Sequence, residues 1–398
     1  MTTLPPNDTH IDIDTDIDIE HLRRQRQLDW VASGRDLVIG HAADCPLPPD
    51  DLMRLDARHP AVRELHDSGL TAEVFRVHTG GRDWAVKRAR SACKVQGVDG
   101  QTSFLNEVQR RAEMAALPAL QRPGLSPTAY ASLKQGLIVS PWIAGSRVDG
   151  WDEAGLRQLF DSGLALLRAG FFEWDFCPGN VLRDERQVWL FDYGYLYRFD
   201  PLRHFNSAGT GLSAPQHHLA ERIESRHVFG WLLQLESRYG ADAALRAFRI
   251  EKSIALDAYQ RLRSTLATDG ATATVLQWLD GICSGWCAAL AGPLADLYLC
   301  EGWRSHATDL DDDLKGQTCT PTTLERADWL LQALRLHHGA LAAHGTWQGE
   351  EATLDRPGLI ARYEQRRRQA VEFQLPAPTS DHGGMHRPNE WPLPEKAS

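Results

Sequence analysis

The segment 171–194, FFEWDFCPGNVLRDERQVWLFDYG, constrains the fold of this chain more than any other stretch. Its pattern predicts a loop and then two short strands, Val181–Leu182 and Val188–Phe191, joined by a polar turn. Such a hairpin brings its two ends together. Asn180, just before the first strand, and Asp192, just after the second, are therefore expected to lie in one small volume.

Asp175 lies five residues before Asn180 and is expected near the same volume. Three oxygen-bearing side chains in one place suit a hard cation such as Mg²⁺, which prefers oxygen ligands. The alternative is that Asp175 and Asn180 only cap a loop and that Asp192 only ends a strand. This stretch by itself leaves that alternative open.

The arrangement resembles the catalytic loop and metal-binding turn of the protein-kinase-like superfamily. That superfamily includes eukaryotic-type protein kinases, aminoglycoside and choline phosphotransferases, and bacterial lipopolysaccharide-core kinases. Its pattern is His-x-Asp, four residues, Asn, and then Asp-x-Gly. This chain has Glu173-Trp174-Asp175, Asn180 and Asp192-Tyr193-Gly194. Glu173 departs from the pattern, because the family usually has a histidine that braces the loop, and this puts the bracing of the loop in doubt.

An upstream stretch, Asp83–Arg88 (DWAVKR), predicts a strand that carries Ala85-Val86-Lys87, and this is similar to the family's Ala-x-Lys. A lysine in an apolar strand is costly to bury unless it meets an anion. The resemblance implies that Lys87 holds the α- and β-phosphates of ATP. A lysine on an edge strand that reaches water is the alternative.

Glu107 follows Lys87 by twenty residues, in the stretch SFLNEVQRRAEMAAL, where Ser103 is a possible helix N-cap. Apolar residues at helical spacing mark one face of this helix: Phe104, Val108 and Ala112. The resemblance implies that a glutamate of this helix pairs with the strand lysine. Glu107 has the fitting spacing, and Glu113 is the second choice. A surface glutamate without such a role is the alternative.

The resemblance also implies an ATP-binding cleft. Gly69, in LHDSGLTAEVFRV (65–77), matches the central glycine of a glycine-rich loop, although the family often has three glycines and a plain hairpin fits this stretch as well. The apolar strand 136–140 and the turn Pro141–Gly145 are similar to the hinge between the lobes, although a strand and turn without a ligand fit these residues equally well. The residues expected to contact the nucleotide are Gly69, Val74, Ala85, Lys87, Val139, Trp142, Ile143 and Leu182.

The collinear order of these motifs predicts an α+β, two-lobed protein-kinase-like fold. We expect an N-terminal extension (1–59, partly disordered), a strand-rich N-lobe (60–145), a helical C-lobe with the catalytic loop (146–375) and a disordered tail (376–398). Leucine and alanine at helical spacing predict helices over 217–239, 241–266, 272–299 and 322–344. The acidic cluster Asp309, Asp311, Asp312 and Asp313 favours a solvated loop, with cation binding as the alternative.

Net charge, apolar runs and cysteine spacing exclude some classes of function. The formal net charge of −10 argues against a nucleic-acid binder or a protein that binds anionic membranes. No apolar run approaches the roughly 18 residues that span a bilayer, so no transmembrane segment is expected. The seven cysteines are an odd number without zinc-like spacing, which predicts reduced thiols in a cytoplasmic protein.

The resemblance implies an ATP- and Mg²⁺-dependent phosphotransferase. Asp175 would orient the acceptor hydroxyl and accept its proton, Asn180 and Asp192 would hold Mg²⁺, and Lys87 held by Glu107 would grip ATP. The acceptor would be a hydroxyl of a small molecule, glycan, lipid or protein. The missing Ala-Pro-Glu landmark of protein kinases modestly disfavours a protein acceptor.

Two other functions fit the same residues. One is a nucleotide-binding scaffold without turnover, with a partner protein on the helical C-terminal half. The other is transfer of AMP on the same fold.

Overall fold

The computed structural model describes residues 19–118, 124–211, 214–347 and 349–375. The predictions of a partly disordered leader and of a disordered tail beyond residue 375 concern residues 1–18 and 376–398, which lie outside this range. The described chain forms a small antiparallel sheet in its N-terminal part and a larger helical C-terminal part. The predicted α+β, two-lobed architecture is confirmed.

Among the described residues, six antiparallel strands form the N-lobe sheet in the order β1-β5-β6-β4-β3-β2. The strands are β1 (Val38–Gly40), β2 (Val62–His66), β3 (Ala72–Thr79), β4 (Arg82–Ala89), β5 (Tyr130–Ser132) and β6 (Leu137–Pro141). The lobe also contains helices α1 (Ile19–Ala32), α2 (Pro49–Leu52) and α3 (Val98–Ala115). Strand β4 lies in the middle of the sheet, so its lysine is held between neighbours on both sides.

The N-lobe begins earlier than the predicted boundary at residue 60. Strand β1 pairs with β5, and α1 packs on α3, where Arg24 donates to Asp99 at 2.9 Å. The predicted extension therefore supplies part of the lobe. The stretch 65–77 belongs to two strands, because β2 ends at His66 and β3 begins at Ala72.

Helix α3 begins at Val98, five residues before the predicted N-cap Ser103. Gly97 precedes the helix with a φ of 92°, a backbone conformation that glycine adopts readily. Ser103 lies inside the helix, where its hydroxyl donates to Gly100 O at 2.8 Å. A serine bonded back to the preceding turn is compatible with a helix interior and does not mark its start.

The C-lobe begins with β7 (Ser146–Arg147) and α4 (Glu153–Arg168), whose N-cap Asp152 accepts from Gly155 N at 2.7 Å. Strands β7, β9 (Val181–Arg183) and β10 (Val188–Leu190) form one small sheet, and β8 (Phe171–Glu173) pairs with β11 (Leu196–Arg198). The predicted hairpin of the central segment is therefore present as β9 and β10.

A helical series completes the C-lobe. It comprises α5 (Leu219–Ile223), a five-residue π turn (Glu224–Val228), α6 (Phe229–Tyr239), α7 (Ala241–Thr268), α8 (Ala273–Ala291), α9 (Leu294–Gly316), α10 (Pro321–Ala343) and α11 (Arg356–Glu372). The helices α9 to α11 share a hydrophobic core separate from the main C-lobe core. Within the described residues, no helix is long and apolar enough to cross a membrane.

Two predictions about this region are wrong. The single helix expected over 272–299 is two helices, because the chain leaves helical geometry at Gly292 and Pro293 cannot continue the hydrogen-bond ladder. The acidic cluster expected in a solvated loop lies in α9, and Asp309 is buried there between two arginines.

Candidate active site

Three predicted residues from distant parts of the chain meet at one ammonium group. Lys87 Nζ, on β4, lies 2.6 Å from Glu107 Oε2 of α3 and 2.7 Å from Asp192 Oδ2, just after β10. The second-choice Glu113 does not take this place, because its carboxylate pairs with Arg198 at 2.7 Å and Arg110 at 2.9 Å. The structure therefore places Glu107 in the position that the spacing favoured.

The ionisation of this cluster follows from its mutual contacts. Burial by itself lowers the pKa of Lys87, but the carboxylates of Asp192 and Glu107 outweigh burial and leave the pKa above its ordinary value. Burial raises the pKa of Asp192, but Lys87 outweighs it and leaves the pKa below its ordinary value. The ammonium and the Asp192 carboxylate are both charged at neutral pH.

Helix α3 fixes this cluster through two residues that the sequence patterns did not single out. Arg111 donates to Glu107 Oε1 at 2.9 Å and to Phe191 O at 2.6 Å. Asn106 is buried, and its Nδ2 contacts the carbonyl oxygens of the turn that follows Asp192: Tyr193 O at 3.3 Å, Gly194 O at 3.0 Å and Leu196 O at 2.9 Å. The backbone is thereby held on both sides of Asp192.

The predicted catalytic loop brings Asp175 and Asn180 together. Asn180 Nδ2 donates to Asp175 Oδ2 at 2.9 Å and to Asp175 O at 3.1 Å. Strand β9 pairs with β10 so that Val181 faces Leu190, which places Asn180 and Asp192 at the same end of the hairpin. The side chain of Asp175 is 20% exposed and therefore accessible to a ligand from the cleft.

Glu173 occupies the place of the family's histidine and is buried. Its Oε1 accepts from Asp175 N at 2.8 Å, and Oε2 has no hydrogen-bond partner in the described part of the chain. Burial raises the pKa of Glu173 well above its ordinary value, and the nearby carboxylate of Asp175 adds to the rise. This shift favours the protonated carboxylic acid, and the contact with Asp175 N is what braces the loop.

A second cation reaches the loop from a position that sequence reasoning missed. Arg226 lies in the π turn, and its Nε donates to Asp175 Oδ1 at 3.0 Å. The same guanidinium pairs with Asp309 of α9, and Asp309 also binds Arg326 Nε of α10 at 2.8 Å. No local signal marks Arg226, because its partners lie 51 and 83 residues away in the sequence.

The predicted phosphate loop connects β2 and β3. Gly69 lies in it, and a Cβ at this position would come 2.4 Å from Ala72 O, so only glycine fits without a shift of the backbone. Arg90 holds the loop by donating to Gly69 O at 2.8 Å and to Asp67 O. Sequence reasoning did not single out Arg90.

The sheet face that carries Lys87 holds only some of the residues expected to contact the nucleotide. Val74, Ala85 and Lys87 share one face, since Val74 pairs with Lys87 and residues 85 and 87 alternate with buried neighbours. Val139 lies on the opposite face, where it pairs with Val86 in the N-lobe core, so the nucleotide contact expected for Val139 is wrong. Ser140, paired with Ala85, lies on the same face as Lys87.

The remaining residues expected to contact the nucleotide lie on the connection between β6 and β7 and on β9. Trp142 N donates to Asp83 O at 3.1 Å, and its ring stacks on His66 with 5.9 Å between ring centroids. Ile143 follows in the connection between β6 and β7, and Leu182 is half-buried on β9.

The residues at the end of the hairpin fit a shared Mg²⁺ site. The described residues contain no group of three or more histidine, cysteine or acidic side chains able to hold a metal ion. Mg²⁺ is commonly held by one or two protein oxygens together with phosphate oxygens and waters. The Asp192 carboxylate and the amide oxygen of Asn180 match that smaller set.

The sequence matches no family model and no curated protein. Two solved structures of WbdD are similar. One, a co-crystal structure of WbdD and the kinase inhibitor LY294002, has a TM-score of 0.30 and 15% identity over 49% of this chain and 45% of that chain. The other has a TM-score of 0.31 and 14% identity over 52% and 50%. The chain thus spans about half the length of WbdD.

Proposed function

We propose that this protein is an ATP- and Mg²⁺-dependent phosphotransferase that moves the γ-phosphate of ATP to a hydroxyl group. The single observation that supports this most is the position of Lys87 Nζ, 2.6 Å from Glu107 and 2.7 Å from Asp192. A buried ammonium fixed between two carboxylates is suited to polyphosphate, because phosphoryl transfer needs mainly positioned charge.

The proposed roles follow the positions of the side chains. Lys87, oriented by Glu107, binds the α- and β-phosphates. Asn180 and Asp192 hold Mg²⁺, which when bound offsets the negative charge of the triphosphate. Asp175, whose backbone N donates to Glu173 Oε1, faces the acceptor.

The transfer step is a displacement at phosphorus. The acceptor oxygen forms a bond to the γ-phosphorus, and the bond between that phosphorus and the β,γ-bridging oxygen breaks. The hydroxyl proton passes to Asp175, and the bridging oxygen leaves with ADP. Asp175 supplies general-base catalysis, which is typically worth about 10²- to 10⁴-fold in rate.

The acceptor is a hydroxyl of a small molecule, glycan, lipid or protein. The free cysteines of the described chain support a reducing compartment such as the cytoplasm. In the scaffold alternative, a partner protein would bind the helical C-terminal half, where α9 to α11 pack on a core of their own.

The experiment measures consumption of labelled ATP with Mg²⁺, with and without cell extract as the source of acceptor. Wild type is compared with Asp192→Asn and Asp175→Asn. Loss of turnover in both variants supports phosphoryl transfer. Nucleotide binding without turnover by the wild type would favour the scaffold, and AMP found on the acceptor would favour nucleotidyl transfer.

A further inference from the structure

We propose that Arg226 is a positioning residue for phosphoryl transfer, which orients the carboxylate of Asp175 toward the acceptor. This inference rests on the proposed function. Arg226 lies outside every motif that suggested that function, and it comes from the helical segment after the hairpin.

The carboxylate of Asp175 is held at both of its oxygens. Arg226 Nε donates to Oδ1 at 3.0 Å, and Asn180 Nδ2 donates to Oδ2 at 2.9 Å. Cys177 N adds a contact to Oδ1 at 3.3 Å. Two donors on opposite oxygens fix the rotation of the carboxylate plane, and a general base acts only when its oxygen points at the proton.

The π turn brings Arg226 to this position. Five residues, Glu224–Val228, depart from regular α-helical geometry between α5 and α6. Such turns widen the helix locally and occur frequently at functional sites. The turn also places Ser225 O where it accepts from Arg326 Nη2 at 3.0 Å.

Arg226 is itself fixed by the helices of the C-terminal core. Its guanidinium pairs with Asp309, and Asp309 Oδ2 lies 2.8 Å from Arg326 Nε. Arg326 also contacts His306 Nδ1 at 3.1 Å. Burial lowers the pKa of Arg226, but Asp309 and Asp175 outweigh burial and raise it, so the guanidinium stays charged.

Arg226 could act as a structural ion pair or as a positioning residue, and the two roles predict different effects of its loss. A purely structural ion pair would stabilise the fold, and its loss would lower the melting temperature without a specific effect on kcat. A positioning residue changes kcat through Asp175 and leaves nucleotide binding at Lys87 and Asp192 unchanged. The side chain of Arg226 is 17% exposed and that of Asp175 is 20% exposed, so a ligand can reach both members of the pair.

The test uses the full chain and Mg·ATP turnover, with water or extract as acceptor. We expect Arg226→Gln to lower kcat by about 10- to 100-fold, as loss of an orienting partner typically does, while the KM for ATP changes little. Arg226→Lys should recover part of kcat, and Asp309→Asn should cause a smaller loss. The control is Arg261→Gln, since Arg261 is 54% exposed and pairs with Asp161 away from the loop.

A double variant gives the decisive comparison. If Arg226 acts through Asp175, then Arg226→Gln combined with Asp175→Asn is no slower than Asp175→Asn alone. Independent, multiplying losses would overturn the proposal, and so would a wild-type kcat in Arg226→Gln. If Arg226→Gln does not fold, Arg226→Lys and Asp309→Asn are each combined with Asp175→Asn in its place. A wild-type kcat in both Arg226→Lys and Asp309→Asn would overturn the proposed role of Arg226.

The two proposals fail separately. If Asp175→Asn and Asp192→Asn both keep full turnover, the phosphotransferase assignment is wrong. If those two variants lose turnover and Arg226→Gln does not, only the role of Arg226 is wrong.

Discussion

Lys87 Nζ and Asp192 Oδ2 lie 2.7 Å apart although 105 positions separate them in the sequence. Lys87 belongs to the N-lobe sheet, and Asp192 follows the hairpin of the C-lobe. Their contact therefore joins the two lobes. Two carboxylates contact Lys87, and Asp192 is the more accessible of them, because its side chain is 27% exposed while Glu107 is buried.

Asp192→Asn is expected to abolish Mg²⁺-dependent ATP turnover and to leave the fold intact. The amide has the shape of the carboxylate but not its charge, and Lys87 keeps Glu107 as its partner. Calorimetric titration of ATP with and without Mg²⁺, beside a turnover assay, tests this. Asp161→Asn, at an exposed position of α4, is the matched control. Turnover at the wild-type rate in Asp192→Asn would remove the metal assignment.

Glu107→Gln and Glu113→Gln should have different effects, although both residues lie in α3. Glu107 accepts from Lys87 and Arg111 in a buried site, so its neutralisation leaves two cations undercompensated. Loss of one partner in such a site costs about 3–5 kcal/mol in the free energy of unfolding.

The side chain of Glu113 pairs with neither Lys87 nor Arg111, so Glu113→Gln should retain turnover. Its carboxylate pairs with Arg198, whose side chain is 31% exposed, and partly solvated pairs contribute less to stability. Urea unfolding and kcat/KM measured for both variants compare the two positions. Equal kinetic losses would contradict the assignment of Glu107.

The motifs that were predictable each have a local signature. The lysine in an apolar strand, the glutamate in a helix and the aspartate after a hairpin are each visible within a short window. Their convergence could be inferred only from their order, and the structure supplies the distances. The choice between Glu107 and Glu113 rested on spacing alone and needed the observed contact with Lys87.

The residues that were missed are defined by distant partners. Arg226, Asn106 and Arg90 look like ordinary polar residues, because nothing near them in sequence shows the carbonyl or carboxylate that they bind. The acidic run around Asp309 has the composition of a solvated loop. It is partly buried only because arginines from the π turn and from α10 face it.

Two predictions about the N-lobe, its boundary and the position of Val139, are wrong because a local sequence pattern does not show how strands pair or which face a residue lies on. Strand β1 has only three residues, and it is a strand because β5 pairs with it. Strand β6 is buried on both faces, so its apolar run cannot show which residues point to the cleft. This is why the sequence predicts a nucleotide contact for Val139, whose side chain packs in the N-lobe core.

Gly69→Ala should weaken nucleotide binding more than it slows transfer. A Cβ at Gly69 would lie 2.4 Å from Ala72 O, so the loop must move away from the conformation that Arg90 holds. We expect a raised KM for ATP with kcat and melting temperature little changed. Gly281→Ala in α8 is the control, because a Cβ there meets open space and alanine favours the helix by about 0.5–1 kcal/mol. An unchanged KM in Gly69→Ala would contradict a role of this loop in binding.

Glu173→Gln should make the protein relatively more stable as the pH rises. The folded chain holds the Glu173 proton well above the ordinary pKa of 4.5, whereas the unfolded chain releases it near that value. Between these two pKa values the folded state binds more protons, so wild-type stability falls with increasing pH. Glutamine is neutral throughout and keeps an oxygen for Asp175 N.

The measurement is the free energy of unfolding of both proteins in urea at pH 5 and pH 8. The free energy of unfolding of the variant minus that of the wild type should be more positive at pH 8 than at pH 5. Glu153→Gln, at an exposed position, controls for the loss of a glutamate. A difference that stays constant or falls would show that Glu173 is ionised in the folded protein. The loop would then be braced by an anion, and Asp175 would have a second negative charge beside it in place of a neutral acid.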